Sequence, residues 1–218
     1  MSKHPESMSS PHQAAVVVVH GLWVNSLIMR PLAHRIERCG YVVSCFSYPS
    51  VRATLAQNAA RLADFVAILP AVTVHFVGHS LGGLVVLKML EQVAASREGR
   101  IVLMGTPCGG SHAARVLAKS GLGQWLLGLS MPVGEMHLAA PARYDLGVIA
   151  GDRGLGLGRF LAPGLPRPND GVVTVNETRI AGMKDHIVMR VSHSGMLFSS
   201  RAASQVCAFL TNGYFRRH

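Results

Sequence analysis

The amino-acid sequence predicts an α/β protein: a single domain in which about six parallel strands are covered by helices on both faces. Short continuous apolar runs, typical of strands buried on both faces, alternate with longer segments of helical periodicity. A chain of 218 residues fits one domain. Because 49% of the residues are hydrophobic and only 15% are charged, the chain has enough apolar surface for a packed core.

Six apolar runs predict the strands of this sheet, since each is short and bounded by turn residues. They cover residues 14–19, 41–47, 72–77, 101–104, 146–150 and 187–191. The residues before the first run are polar and include two prolines. We therefore expect 1–13 to be a flexible N-terminal segment and 14–218 to form the domain.

Local signals predict four helices between and after the strands. Pro31 at a first helical turn and Gly40 beyond the last turn bound a helix over 31–38. Thr54 is a cap residue before apolar residues at helical spacing, and Pro70 ends that run. The remaining two helices are predicted over 81–95 and, as a single element, over 197–211.

Two segments interrupt the alternation. Residues 119–140 are apolar but broken by glycine and proline, and Trp125 lies among several leucines. We expect a lid-like insertion that covers an apolar groove; the alternative is a helix packed in the core, because leucines at helical spacing are usually buried. Residues 151–168 are rich in glycine and proline, which predicts an irregular crossing.

Charge and cysteine content restrict the partners and the compartment. Lys and Arg outnumber Asp and Glu by 21 to 11, but the cations are scattered singly, so we expect no nucleic-acid binding. The four cysteines, Cys39, Cys45, Cys108 and Cys207, are too sparse for a disulfide framework, which predicts reduced thiols. No apolar run has the features of a secretory signal or a membrane span, so a cytoplasmic protein is expected.

The strongest chemical signal is Gly-His-Ser-Leu-Gly-Gly over 78–83, between a β-branched strand and a helical run. This is the context of a nucleophile elbow, in which Ser80 occupies a strained turn and glycines on either side let strand and helix pass closely. The alternative is a tight strand-to-helix turn with an inert serine. The elbow would expose the Ser80 hydroxyl at the carboxyl edge of the sheet.

A serine nucleophile needs a base and an acid that fixes the base. His193 follows the last predicted strand and is the expected base, whereas His186 begins that strand and lies at the wrong edge. Asp170, before a glycine, is the expected acid, and Asp152, after the fifth strand, is the main alternative. The weaker candidates for the acid are Asp145, Asp185 and Glu177.

Backbone N–H groups are expected to hold the charge that develops on the substrate oxygen. His-Gly-Leu-Trp over 20–23 directly follows the first strand, so the N–H groups of Leu22 and Leu81 are the candidate oxyanion hole. Trp23, Trp125 and Met196 are the candidate substrate-binding residues. The histidines lack paired ligand spacing, so no metal site is expected, and His20 and His79 are expected to hold loops by hydrogen bonding.

Taken together, these segments resemble the α/β-hydrolase superfamily, in the family's order of oxyanion, nucleophile, acid and base segments. The resemblance covers about residues 14–211 and is nearest to small lipase- and esterase-like serine hydrolases that lack the first two strands of the α/β-hydrolase fold. It implies a cofactor-free serine ester hydrolase with the triad Ser80, His193 and Asp170, acting on a small-molecule or lipid ester. The apolar run around Trp125 adds the expectation of transient contact with membrane surfaces. An acyltransferase, a thioesterase or a non-catalytic binding member remains an alternative.

Overall fold

A computed structural model of the chain describes residues 14–92, 98–134, 138–154 and 164–217. Its centre is a six-stranded parallel sheet in the order β2-β1-β3-β4-β5-β6. The strands are β1 (Ala15–Val19), β2 (Val42–Phe46), β3 (Val74–His79), β4 (Gly99–Met104), β5 (Tyr144–Gly151) and β6 (Asp185–Met189). All six predicted strands are confirmed, while the predicted N-terminal segment 1–13 lies outside the described residues.

The order of the strands creates a crevice at one edge of the sheet. The chain leaves β1 to form β2 on one side and then returns to form β3 on the other side. The loops that follow the neighbouring strands β1 and β3 therefore lead to opposite faces of the sheet. Ligands of parallel α/β sheets bind at such a switch point, outside the carboxyl ends of the strands.

Helices cover both faces, as the sequence predicts. They are α1 (Arg30–Glu37), α2 (Leu55–Ala67), α3 (Leu81–Gln92), α4 (His112–Leu117), α5 (Gly121–Leu127), α6 (Gly195–Phe198) and α7 (Ser200–Asn212). Residues of α2 and α3 share one core cluster with Val17 and Val19 of β1. Residues of α1 and α7 share a second core cluster with Val16 and Val18. Successive side chains of β1 therefore point alternately into the two core clusters.

The last predicted helix is in fact two helices. Ser199 has an extended backbone, with φ −75° and ψ 119°, and its hydroxyl accepts a hydrogen bond from the Ala202 N–H at 3.2 Å. This serine therefore ends α6 and caps α7, an N-cap signal that the continuous prediction over 197–211 overlooked. The predicted end of the third helix falls on residues 93–97, outside the described part of the chain.

The prediction of four reduced thiols is wrong for two of them. Cys39, just after α1, forms a disulfide with Cys207 of α7, with their Cα atoms 6.4 Å apart. Cys45 and Cys108 are free. The disulfide joins residues 168 positions apart because α1 and α7 pack side by side on the same face of the sheet, which spacing alone does not reveal. In the part of the chain that the structure describes, no helix is both long and apolar enough to cross a membrane.

Candidate active site

Ser80 lies in the turn between β3 and α3, with a left-handed backbone at φ 54°. Its N–H donates a hydrogen bond to the carbonyl oxygen of Met104 in the neighbouring strand β4, at 2.9 Å. A Cβ atom on Gly78 would lie 2.5 Å from the Cα of Gly83, and one on Gly82 would collide with the end of β1. Only glycine permits these close approaches, so the local sequence fits the strained turn of a nucleophile elbow.

Asp170 and His193 form a hydrogen-bonded pair. The His193 Nδ1 lies 2.7 Å from the Asp170 Oδ2, and the other carboxylate oxygen, Oδ1, accepts the N–H groups of Val172 and Val173 at 2.9 and 2.8 Å. Burial by itself would raise the pKa of Asp170, but the adjacent His193 and these hydrogen bonds outweigh it, and the pKa is lowered. The carboxylate is therefore ionised, which places the imidazole proton on Nδ1 and leaves Nε2 able to accept a proton.

Ser80 and His193 lie at the same carboxyl edge of the sheet, linked through His79. The His79 Nε2 lies 3.0 Å from the His193 carbonyl oxygen, so this nitrogen carries the proton and donates, and the two ring centroids are 4.7 Å apart. Burial, with a further contribution from His193, lowers the pKa of His79 to about 3, so its ring stays neutral. The predicted role of His79 in holding a loop agrees with this contact.

The other histidines near the sheet have structural contacts. His20 donates from Nδ1 to the Gly21 carbonyl oxygen at 2.8 Å, and its ring stacks on Tyr48 with a centroid distance of 4.3 Å. His186 lies near the start of β6, as predicted for the rejected base, and its Nε2 is 3.0 Å from the Thr178 hydroxyl. Among the described residues, no group of three or more His, Cys, Asp or Glu side chains is placed to hold a metal ion.

The alternative acids make their contacts elsewhere or face solvent. Asp152 is exposed directly after β5. The other three carboxylates each accept a hydrogen bond of 2.8 Å from another group: Asp145 from the Lys184 ammonium, Asp185 from the Phe215 N–H, and Glu177 from the Thr174 N–H. Asp170 is thus the carboxylate that the structure brings to His193.

The two candidate oxyanion donors follow β1 and β3, the strands on either side of the switch point. A Cβ atom on Gly21 would lie 3.1 Å from the Ser80 Cβ, so the loop after β1 passes directly beside the nucleophile candidate. Leu22 follows in this loop, which we call the oxyanion loop (residues 20–23). Leu81 is the first residue of α3, where N–H groups have no partner within the helix.

Two of the three candidate substrate-binding residues lie together on the surface. Trp23 and Trp125 are 50% and 64% exposed, with ring centroids 5.4 Å apart. Leu122, three residues before Trp125 in α5, and Leu129, two residues after this helix, are also exposed, and we call these four residues the apolar surface. Met196 does not belong to it: its side chain is fully buried in the core, near Gly151, so the prediction that Met196 contacts substrate is not supported.

Gly105 is a site residue that the sequence analysis missed. It follows β4 with φ 58°, and a Cβ atom there would lie 3.0 Å from the Asp170 Oδ2 and 3.1 Å from the His193 Nδ1. The absence of a side chain at this position gives the Asp–His pair its room. The signal was available, because a glycine directly after a predicted strand lies at the carboxyl edge of a parallel sheet.

A parallel sheet with a strained serine after a central strand and an Asp–His pair at the same edge defines an α/β hydrolase architecture. The model of the alpha/beta hydrolase family matches residues 16–208. The chain therefore belongs to the alpha/beta hydrolase family. No curated protein matches the sequence.

Solved structures share this fold at low sequence identity. The mature lipase BlEst2 of Bacillus licheniformis is 20% identical, with 96% of each chain covered and a TM-score of 0.72. A metagenomic carboxyl esterase, MGS0156, is 21% identical over 84% of this chain and 65% of that chain, with a TM-score of 0.63. The carboxylesterase CesB (YbfK) of Bacillus subtilis is 14% identical over 94% and 85%, with a TM-score of 0.57. At these identities the similarity concerns the fold.

Proposed function

We propose that this protein is a serine hydrolase of carboxylic esters. The observation that carries the proposal is the hydrogen bond of 2.7 Å between Asp170 and His193, at the edge where Ser80 sits in a left-handed turn. In this proposal Ser80 is the nucleophile, His193 the general base and Asp170 the acid that fixes the imidazole. The N–H groups of Leu22 and Leu81 form the oxyanion hole.

The reaction proceeds through an acyl-enzyme. The Ser80 Oγ attacks the ester carbonyl carbon while its proton passes to the His193 Nε2, and the tetrahedral oxyanion accepts the Leu22 and Leu81 N–H groups. The carbon–oxygen bond of the leaving alcohol breaks, and the alcohol takes the proton from His193. A water molecule, deprotonated by His193, then attacks the acyl carbon. The bond between this carbon and the Ser80 Oγ breaks, His193 returns the proton to Oγ, and the carboxylic acid leaves.

The apolar surface favours esters with an apolar acyl group. Trp23 is two residues after Gly21, whose Cβ position is 3.1 Å from the Ser80 Cβ, and the Trp23 indole contacts that of Trp125. Large exposed apolar patches mark ligand or membrane contacts. We therefore propose small-molecule or lipid esters as substrates, with residues 119–140 acting as the covering segment. Transient contact of this surface with a lipid interface is part of the same proposal.

Activity labelling tests the proposal. A fluorophosphonate probe is expected to label the wild type but neither Ser80→Ala nor His193→Ala, and p-nitrophenyl ester hydrolysis should follow the same pattern. Ser204→Ala, an exposed serine on α7, is the matched control and should label like the wild type. Equal labelling of Ser80→Ala and the wild type would overturn the assignment. Added alcohol or a thioester substrate then separates hydrolysis from acyl transfer and thioester cleavage.

A further inference from the structure

Trp23 has a backbone conformation that the proposed reaction does not explain. Its φ is 62°, and in the described part of the chain Trp23 and Ser80 are the residues other than glycine with a left-handed φ. A bulky residue holds this conformation only where its surroundings impose it. Trp23 immediately follows Leu22, whose N–H is the proposed oxyanion donor, so this conformation determines where the oxyanion loop turns.

Two hydrogen bonds hold Trp23 in place. Its backbone N–H donates to the Ser50 hydroxyl at 3.2 Å, and its indole Nε1–H donates to the Leu126 carbonyl oxygen at 2.6 Å. Leu126 lies in the last turn of α5, where helix carbonyl groups lack partners within the helix. The indole thus joins the oxyanion loop to the helix that carries Leu122 and Trp125 of the apolar surface.

The segment that directly follows α5 is bound to the loop that also contains Ser50. The Leu129 N–H donates to the Val51 carbonyl oxygen at 2.8 Å. The buried hydroxyl of Ser130 donates to the Ala53 carbonyl oxygen at 2.6 Å and accepts from the amide of Asn58 at 2.8 Å. Trp23, α5 and the loop after β2 therefore form a closed ring of contacts, and a displacement of α5 acts on Trp23.

We infer that Trp23 is a positioning residue that couples α5 to the oxyanion loop. An acyl chain that packs on Leu122 and Trp125 holds α5 in place, and the indole bond to Leu126 transmits this restraint to the Leu22 N–H. The binding energy of the acyl chain then stabilises the transition state, so it raises kcat rather than only lowering KM. This inference rests on the proposed ester hydrolase function.

Trp23→Phe tests the coupling, because it keeps an aromatic ring beside Trp125 and removes the indole N–H. We compare kcat and KM for p-nitrophenyl acetate and octanoate. The ratio of kcat on octanoate to kcat on acetate is expected to fall about tenfold in Trp23→Phe, with KM changed less than about twofold. Leu27→Ala, an exposed neighbour in the 3-10 turn Ser26–Met29, is the control and should keep the wild-type ratio.

The outcomes separate this inference from the proposed function. Wild-type protein without Ser80-dependent ester hydrolysis contradicts the function itself. If the wild type is active and Trp23→Phe keeps the kcat ratio while KM for octanoate rises, Trp23 only contributes to binding of the acyl chain. The inferred coupling is then wrong. Should Trp23→Phe fail to fold, Ser50→Ala removes the other hydrogen bond to Trp23 and is expected to lower the same ratio; an unchanged ratio there overturns the inference.

Discussion

Asp170 and His193 are joined twice, by their side chains and by their backbones. Besides the Nδ1–Oδ2 contact of 2.7 Å, the His193 N–H donates to the Asp170 carbonyl oxygen at 2.9 Å. The loop between β5 and β6 and the loop after β6 are thus fixed to each other at the residues that orient the imidazole. This double contact makes the proposed acid and base one structural unit.

Asp170→Asn is expected to lower kcat by about 10⁴-fold with little loss of fold. The amide oxygen can still accept the Val172 and Val173 N–H groups, but the amide NH₂ facing the His193 Nδ1 favours the wrong tautomer. Ester kinetics and thermal unfolding of the variant measure both effects. Asp152→Asn serves as the control, and a loss of activity in that variant instead would identify Asp152 as the acid.

Gly105→Ala is expected to reduce kcat at least tenfold, because the added methyl group meets both members of the Asp–His pair. The left-handed φ of Gly105 adds a stability cost of about 1–2 kcal/mol. Gly40→Ala separates the two effects, since Gly40 has φ 92° but open space around the Cβ position. We expect Gly40→Ala to lose stability and keep kcat; equal losses of kcat in both variants would mean that strain, not contact with the pair, explains the effect.

Thiol titration of the denatured protein tests the Cys39–Cys207 disulfide. Without reductant two thiols, those of Cys45 and Cys108, should react, and all four should react after reduction. The bond closes a long loop, so replacing Cys39 and Cys207 by serine should lower the free energy of unfolding by roughly 4 kcal/mol. Cys45→Ser is the control. Four reactive thiols before reduction would show that the bond is absent.

The disulfide also bears on the compartment. Disulfides persist in oxidising compartments and are rare in the cytosol. The Cys39–Cys207 bond therefore argues against the cytoplasmic location expected from the sequence, and we propose an oxidising compartment. Thiol trapping in intact cells before lysis checks this proposal, since a fully reduced pair in the cell would contradict it.

Acid is expected to destabilise the protein through His75. Burial, with the charge of Arg100, lowers its pKa from 6.5 to about 4, so the unfolded chain binds this proton more readily than the folded chain. The contribution of neutral His75 to the free energy of unfolding is complete above pH 6.5. It is lost as the pH falls towards 4, by about 1.4 kcal/mol per pH unit. In His75→Asn an amide oxygen can accept the Arg100 N–H in place of Nδ1. Its Tm should fall less between pH 6.5 and 5; an identical Tm profile would contradict this.

The sequence predicted the sheet and the position of Ser80 because both depend on local patterns. Apolar runs of strand length identify buried parallel strands, and the glycines around Ser80 are required by contacts within a few residues. The position of His193 followed from a general rule, since only one edge of a parallel sheet collects the carboxyl ends.

Features that depend on contacts between distant segments were not predicted. The pairing of Cys39 with Cys207 requires knowing that α1 and α7 share a face of the sheet. The burial of Met196 requires knowing which side chains pack against the segment that follows His193. Helix α5 lies within 119–140, where the sequence predicted a helix only as the alternative, because glycines obscured the Ser120 cap that accepts the Gly123 N–H at 3.1 Å. The bond from the Trp23 indole to Leu126 spans about half the chain and leaves no local signal.

Trapping an acyl-enzyme tests the central claim most directly. Rapid mixing with p-nitrophenyl acetate, followed by acid quenching and peptide mass mapping, should reveal an acetyl group on Ser80 in the wild type, formed in a burst of about one equivalent of p-nitrophenolate. Asp170→Asn and His193→Ala should form it far more slowly. An acetyl group on another residue, or ester turnover that persists in Ser80→Ala, would contradict the account.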